Sequence, residues 1–187
     1  RYTFSWKGIR TINGFLENVD KIANGTTEEI NNLKGQAYFL RAFYYHLMTK
    51  RHGGLIYLKE NLSLNEPLER VRESYASNLA DMIEDLDLAI SLLPIKYAAS
   101  SDSGRPTKGA ALALKSRVTL FAASPLVNTT NDNKAWVDAA IAASDLINFA
   151  TTNGLYNLAD ASAANGIDVG HNGADLFVAE PDALKPY

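Results

Sequence analysis

The chain has 187 residues, of which 47% are hydrophobic and 21% charged, so it holds the apolar material for one packed domain and is not a disordered polypeptide. Its formal charge is −3, from 18 Lys and Arg against 21 Asp and Glu, and no basic block stands out, which argues against tracking nucleic-acid phosphates. Cysteine is absent, excluding disulfides, thiolate metal sites and a cysteine nucleophile, and no run approaches the roughly 20 apolar residues of a membrane span.

Apolar residues recur at helical spacing in five stretches, which is the main structural signal. The first carries Ile9, Ile12, Leu16, Val19 and Ala23 and is expected to stop at Asn24-Gly25. The second is capped by Thr26 or Thr27 with Glu28 and Glu29, and Ile30, Leu33, Ala37, Leu40, Tyr44 and Leu47 form one stripe. Lys50, Arg51 and His52 meet the negative end of its dipole before Gly53-Gly54 ends it.

Residues 55–73 read as an extended crossing connection. The third helix starts near Ser74, carries Leu79, Ile83, Leu86, Ile90 and Leu93, and stops at Pro94. A Ser, Gly and Asp loop follows, and Thr107 then caps a fourth helix with Ala111, Leu114, Val118 and Phe121, closed by Pro125. The fifth spans Lys134 to Ala150 with Trp136, Ala140, Ala143, Ile147 and Ala150 on one face. From Thr151 to residue 187 the glycines, Asn and Asp read as irregular loop. The pattern predicts an all-α protein of antiparallel helix pairs, either a bundle or a tetratricopeptide-like solenoid. A first residue inside a helix and a last segment without a closing element suggest a piece of a longer chain.

On these helices lie several words in order: Leu40-Arg41-Ala42-Phe43-Tyr44-Tyr45 before Gly53-Gly54; Asp85-Leu86 with Ala89 and Leu93-Pro94; Gly104-Arg105-Pro106-Thr107-Lys108-Gly109-Ala110-Ala111; and Arg117-Val118. Trp6, Ile12 and Asn13 precede them, and Trp136, Ala139, Ala140, Leu146-Ile147 and Leu155-Tyr156-Asn157-Leu158 follow. With these words the sequence resembles the SusD/RagB family of nutrient-binding outer-membrane lipoproteins. Gly53-Gly54-Leu55-Ile56 departs from the family's usual Tyr-Gly-x-x-Pro there.

The resemblance implies a right-handed superhelix of tetratricopeptide-like pairs, with residues 1–187 as an incomplete N-terminal helical region and 151–187 its irregular portion. It implies a non-catalytic cell-surface protein without a cofactor, anchored by a lipidated cysteine upstream of Arg1. Such a protein captures oligosaccharide or peptide and delivers it to a SusC-like TonB-dependent transporter. A free-standing tetratricopeptide adaptor gripping peptides in its groove is the alternative.

Individual residues carry paired readings. Arg41 sits in an apolar helix and needs a partner, either an ion pair to Asp85 or Asp81 or an anion ligand. Gly104, Arg105 and Thr107 are read as structural, Gly104 turning the chain and Thr107 capping a helix, because a phosphate loop would need a Gly-Lys-Ser/Thr word after a strand.

Two Trp, nine Tyr and seven Phe supply candidate sugar-stacking rings. Phe39, Phe43, Tyr44, Tyr45 and Phe121 are assigned to the core, while Trp6, Tyr57, Tyr97 and Tyr156, at helix ends or in loops, are the ligand candidates, each with a packing reading beside it. Asn13, two turns after Trp6, makes a ring-plus-amide pair conceivable. His46, His52 and His171 share no ligand spacing, so neither a zinc site nor a triad is supported. Asp160, Asp168, Asn172 and Asp175 supply calcium-type oxygens but lack EF-hand spacing, and read as a solvated loop.

Overall fold

The computed structural model describes residues 2–63 and 69–154. Tyr156, His171 and the acidic residues between 160 and 175 lie outside them. Regular structure among the described residues is entirely helical: α1 (Tyr2–Leu16), α2 (Thr27–His52), α3 (Tyr75–Leu92), α4 (Lys108–Ala123) and α5 (Asn133–Asn153), with short 3-10 turns at Val19–Lys21 and Ser100–Asp102. The chain divides into two compact units, Arg1–Phe149 and Ala150–Tyr187, and the core, the polar network and the grooves described below lie in the first.

The helix starts follow their capping residues. Thr26 accepts from the Glu29 N–H at 3.2 Å while the Glu29 carboxylate takes the Thr26 N–H at 2.8 Å, a reciprocal box that satisfies two otherwise orphaned donors. Ser74 accepts from Ser77 N–H and Thr107 from Ala110 N–H in the same way. Between α2 and α3 the described residues form no regular element, and the Glu73 N–H donates to the Leu55 carbonyl at 3.3 Å, bringing the two ends of the connection together.

Several helix details differ from the sequence expectation. Helix α1 ends at Leu16 rather than near Ala23. The Asn18 side-chain amide takes the Gly14 carbonyl, 2.8 Å away, that its own N–H would claim in a continuing helix, and that N–H turns to Phe15 O instead. Helix α5 runs to Asn153, past the expected Ala150, because Gly154 is the first residue there to take a left-handed φ, +60°.

The buried faces shift as well. In α2 the buried residues are Gly35, Ala37, Arg41, Ala42, Tyr45, His46, Met48 and Thr49, and Leu40 of the expected stripe is 37% exposed. One stripe fits a helix with one covered face, whereas α2 is packed by α1, α3 and α4. In α5 it is Ala139 and Ala142 that are buried, with Trp136 and Ile147 exposed; alanines on every side leave the apolar period ambiguous.

The core joins Ile9 of α1, Ala42, Tyr45 and Met48 of α2, Met82 and Leu86 of α3, and Leu114 and Val118 of α4, closed by Leu55 and Tyr57 from the connection. Phe39, Phe43 and Tyr44 pack half-buried against it. Small residues set the closest approaches: Gly109 and Ala111 of α4 are buried, the latter with Ala89 of α3 and Leu93 just past its end. A Cβ on Gly54 would lie 2.1 Å from the Glu73 carbonyl oxygen, so the chain leaving α2 passes the start of α3 at a distance only glycine permits.

Candidate functional site

Two arrangements stand out, a buried polar network that holds the helices together and a pair of aromatic grooves at one end of the bundle.

The network is built on Asp85, 1% exposed, and Arg41, 4% exposed. Arg41 Nη2 donates to Asp85 Oδ1 at 2.6 Å and Nε to Oδ2 at 2.7 Å, a two-pronged pairing that suits the planar guanidinium. Of the two acids open to Arg41 it is Asp85 that pairs. Asp81 instead takes Lys59 Nζ at 2.7 Å. Arg41 Nη1 reaches Asn13 Oδ1 and the Lys59 carbonyl, both at 3.0 Å. Burial pushes the Arg41 pKa down, but the hydrogen bond and charge of Asp85 outweigh it and raise the pKa overall.

Tyr57 completes the site. Its hydroxyl donates to Asp85 Oδ2 at 2.7 Å, its ring stacks on Tyr45 with centroids 3.7 Å apart, and burial together with the Asp85 charge holds its phenol well above the ordinary range. The Tyr45 hydroxyl accepts from Leu58 N–H at 2.7 Å. Asn78 bonds both the N–H and the carbonyl of Leu55, at 2.6 and 3.0 Å, and Glu73 accepts the Tyr57 N–H at 3.0 Å. Side chains thus take the place of a neighbouring strand for this extended segment.

Sequence reasoning passed over Asn78 and Glu73. A signal for Asn78 exists, since it precedes Asp85 by seven residues, two helical turns along the same face of α3.

The ligand candidates separate in position. Asn13 is 1% exposed, its amide hydrogens donate to the Leu58 and Glu60 carbonyls at 2.9 and 3.2 Å, and its oxygen receives Arg41. The conceived Trp6–Asn13 ring-plus-amide pair is therefore not presented at the surface. Tyr57, 7% exposed, likewise faces inward, drawn there by Asp85. Tyr97 is half-buried, its hydroxyl within 2.8 Å of Asn32 Oδ1 and 3.1 Å of the Pro106 carbonyl, so it pins the 95–106 loop to α2. In that loop Gly104 has φ +91° and Arg105 pairs with Asp102 at 3.1 Å.

Trp6 differs from these. Half-buried, it stands edge-on to Tyr45 and to Tyr2, with centroids 6.0 and 5.9 Å away. It lines a groove of about 450 Å³ with Tyr2, His52, Leu55, Ile56 and Arg72. A second groove of about 360 Å³ shares Tyr2 and His52 and adds Phe4, Phe43 and Tyr44. Arg72 donates to the His52 and Gly54 carbonyls and so caps the end of α2. Flat rings beside polar side chains in an open groove suit stacking on a ligand.

The SusD-like family, described as starch-binding and associating with the outer membrane, matches residues 1–120. This chain belongs to the SusD-like family. Solved structures agree. A SusD-like protein from Bacteroides fragilis is similar at 33% identity and a TM-score of 0.65, covering 75% of this chain and 25% of its own. A SusD homologue from Bacteroides thetaiotaomicron is 27% identical with a TM-score of 0.67, covering 77% and 28%. A SusD-like carbohydrate-binding protein from Bacteroides fragilis is 26% identical with a TM-score of 0.62, covering 79% and 27%.

The chain therefore spans about a quarter of the length of these SusD-like structures, and no curated protein matches it. Among the described residues no helix is long and apolar enough to cross a membrane. The family words Arg41, Asp85, Gly104 and Thr107 fall on a buried ion pair, a turn and a helix cap, all parts of the scaffold.

Proposed function

We propose that this chain is a helical platform within a non-catalytic, surface-exposed glycan-binding protein of the outer membrane. That protein, held by a lipid anchor upstream of Arg1, captures an oligosaccharide and passes it to a SusC-like TonB-dependent transporter. The single observation that carries the reading is the SusD-like family match over residues 1–120. The description of a similar structure as carbohydrate-binding supports the ligand class.

Within the platform the roles divide. The Arg41–Asp85–Tyr57 network with Asn13 provides rigidity, since a ligand surface must keep its geometry without the ligand's help. Trp6 is the ring best placed for a sugar face, and Tyr97 borders a smaller depression of about 350 Å³ with Arg105 and Thr107.

Affinity electrophoresis of the full-length protein through gels containing neutral and acidic polysaccharides tests the proposal. Retardation by at least one glycan that Trp6→Ala weakens supports it. Retardation by a peptide and by no glycan would transfer the protein to the rival class, a tetratricopeptide-like adaptor.

A further inference from the structure

The end of the bundle where α1 begins and α2 finishes carries several exposed cations beside its aromatic grooves. Lys7 and Arg10 on α1, Lys50 and Arg51 in the last turn of α2, and Arg72 before α3 are all exposed. Among the described residues Lys7, Arg10, Lys50 and Arg51 form no ion pair. The carboxylate next to Arg72, that of Glu73, is turned inward to Tyr57 N–H, Ser77 and Asn78. Lys34 is paired with Asp20, Lys59 with Asp81 and Glu84, and Lys115 with Asp87, whereas Lys21, Lys96, Lys108 and Arg117 are also without an ion pair among the described residues.

The grooves differ in their carboxylates. The two aromatic grooves at this end contain no carboxylate and include Arg51, His52 and Arg72. Three other depressions do contain carboxylates: Asp132 and Asp138 beside Lys134 in one, Glu84 and Asp87 in another, and Asp102 beside Lys96 and Arg105 in the third. The same end holds exposed rings, Phe4 at 68% and Tyr2 at 46%, with Tyr2 edge-on to His52 at 5.0 Å. Unneutralised cations in a chain of net charge −3 make a local positive field for an anion, and the rings supply stacking faces for sugars.

We infer that this end of the platform binds an acidic glycan, one carrying uronate or sulfate groups, with Trp6 and Tyr2 against sugar faces and Lys7, Lys50 and Arg51 facing its anions. The inference rests on the glycan reading above and specifies its ligand class. A neutral chain would gain the rings but leave the cations without partners. A nucleic acid fits less well, because the cations cluster at one end rather than along a phosphate track.

Binding of the full-length protein to polygalacturonate, chondroitin sulfate, soluble starch and vesicles of anionic phospholipid, measured by calorimetry, decides the matter. The acidic glycans are expected to bind at least about tenfold tighter than starch. That affinity should fall about tenfold between ~0.01 and ~0.1 M salt, as the Debye length shrinks from about 30 to about 10 Å. The exposed triple variant Lys7→Gln, Lys50→Gln, Arg51→Gln, with an unchanged circular-dichroism spectrum, should lose the preference, and Trp6→Ala should weaken binding without changing its salt dependence. Starch bound as tightly, with no effect of salt or of the triple variant, overturns the acidic specificity while leaving glycan binding intact. Failure to bind any glycan overturns both, and vesicles bound as tightly as the acidic glycans would make this end a membrane-contacting surface instead.

Discussion

Arg41 and Asp85 grip each other across the interface of α2 and α3 with two hydrogen bonds of 2.6 and 2.7 Å, both side chains almost wholly out of water. Removing either partner leaves a buried charge uncompensated. Arg41→Ala and Asp85→Ala should each cost about 3–5 kcal/mol in urea unfolding, and the Arg41→Ala/Asp85→Ala pair should cost less than the sum of the two. Additive losses would show that the pair is not coupled.

Tyr57→Phe separates the hydrogen bond from the stacking. The ring still covers Tyr45, but Asp85 loses a donor to a charged oxygen, and about 1.5–3 kcal/mol of stability should go with it. Chemical denaturation of the variant beside Tyr97→Phe gives the comparison. The Tyr97 ring is only half-buried, so its hydroxyl should matter less.

Only certain parts of this site were readable from the chain. Arg41 announces a partner because an arginine inside an apolar stripe must have one, and Asp85 shares its helix-facing position with Leu86 and Ala89. Tyr57 does not, since an aromatic residue in an extended connection looks the same whether it faces water or a buried carboxylate. Asn13 misled for a related reason. Helical spacing places it on the Trp6 face but cannot show that a second segment, residues 58–60, arrives to take its amide.

His46 makes stability depend on acid. It is 3% exposed, its Nδ1 has no partner, and it packs edge-on to Phe121 of α4, with Tyr75 of α3 on the other contact of that ring. Burial first, then Lys50 on its own helix and Arg117 on α4, lower its pKa to about 4. The folded state thus binds its proton less readily than the unfolded chain, whose histidine titrates near ~6.5. The stabilisation is complete above pH ~6.5 and is lost as pH falls toward 4, on the order of 3 kcal/mol. Urea midpoints between pH 7 and pH 4.5 should fall for the native protein and fall less for His46→Leu. Parallel slopes would remove His46 from the explanation.

Gly54→Ala should be far more damaging than Gly8→Ala. At Gly54 the new Cβ meets the Glu73 carbonyl at 2.1 Å and the backbone of Ser74 and Tyr75, whereas at Gly8 it meets only the Tyr44 side chain, at 2.7 Å, and a side chain yields more readily than backbone. Gly54→Ala is expected to lose about 1–3 kcal/mol and Gly8→Ala less, as read from thermal midpoints. The reverse order would refute the close passage between α2 and α3.

The sequence by itself determined the all-α class, the starts of α2, α3 and α4, and the family, because caps, breakers and ordered words are local features of the chain. The tertiary structure alone decided which faces are buried and which polar groups meet. Helix α2 is covered by three neighbours, so no single stripe describes it, and α5 carries alanine on every side, so its period marks no face. The Arg41 guanidinium, the Tyr57 hydroxyl and the Asn78 amide bond to groups 18 to 44 residues away, on Lys59, Asp85 and Leu55, a distance at which spacing along one helix says nothing and only packing brings donor to acceptor.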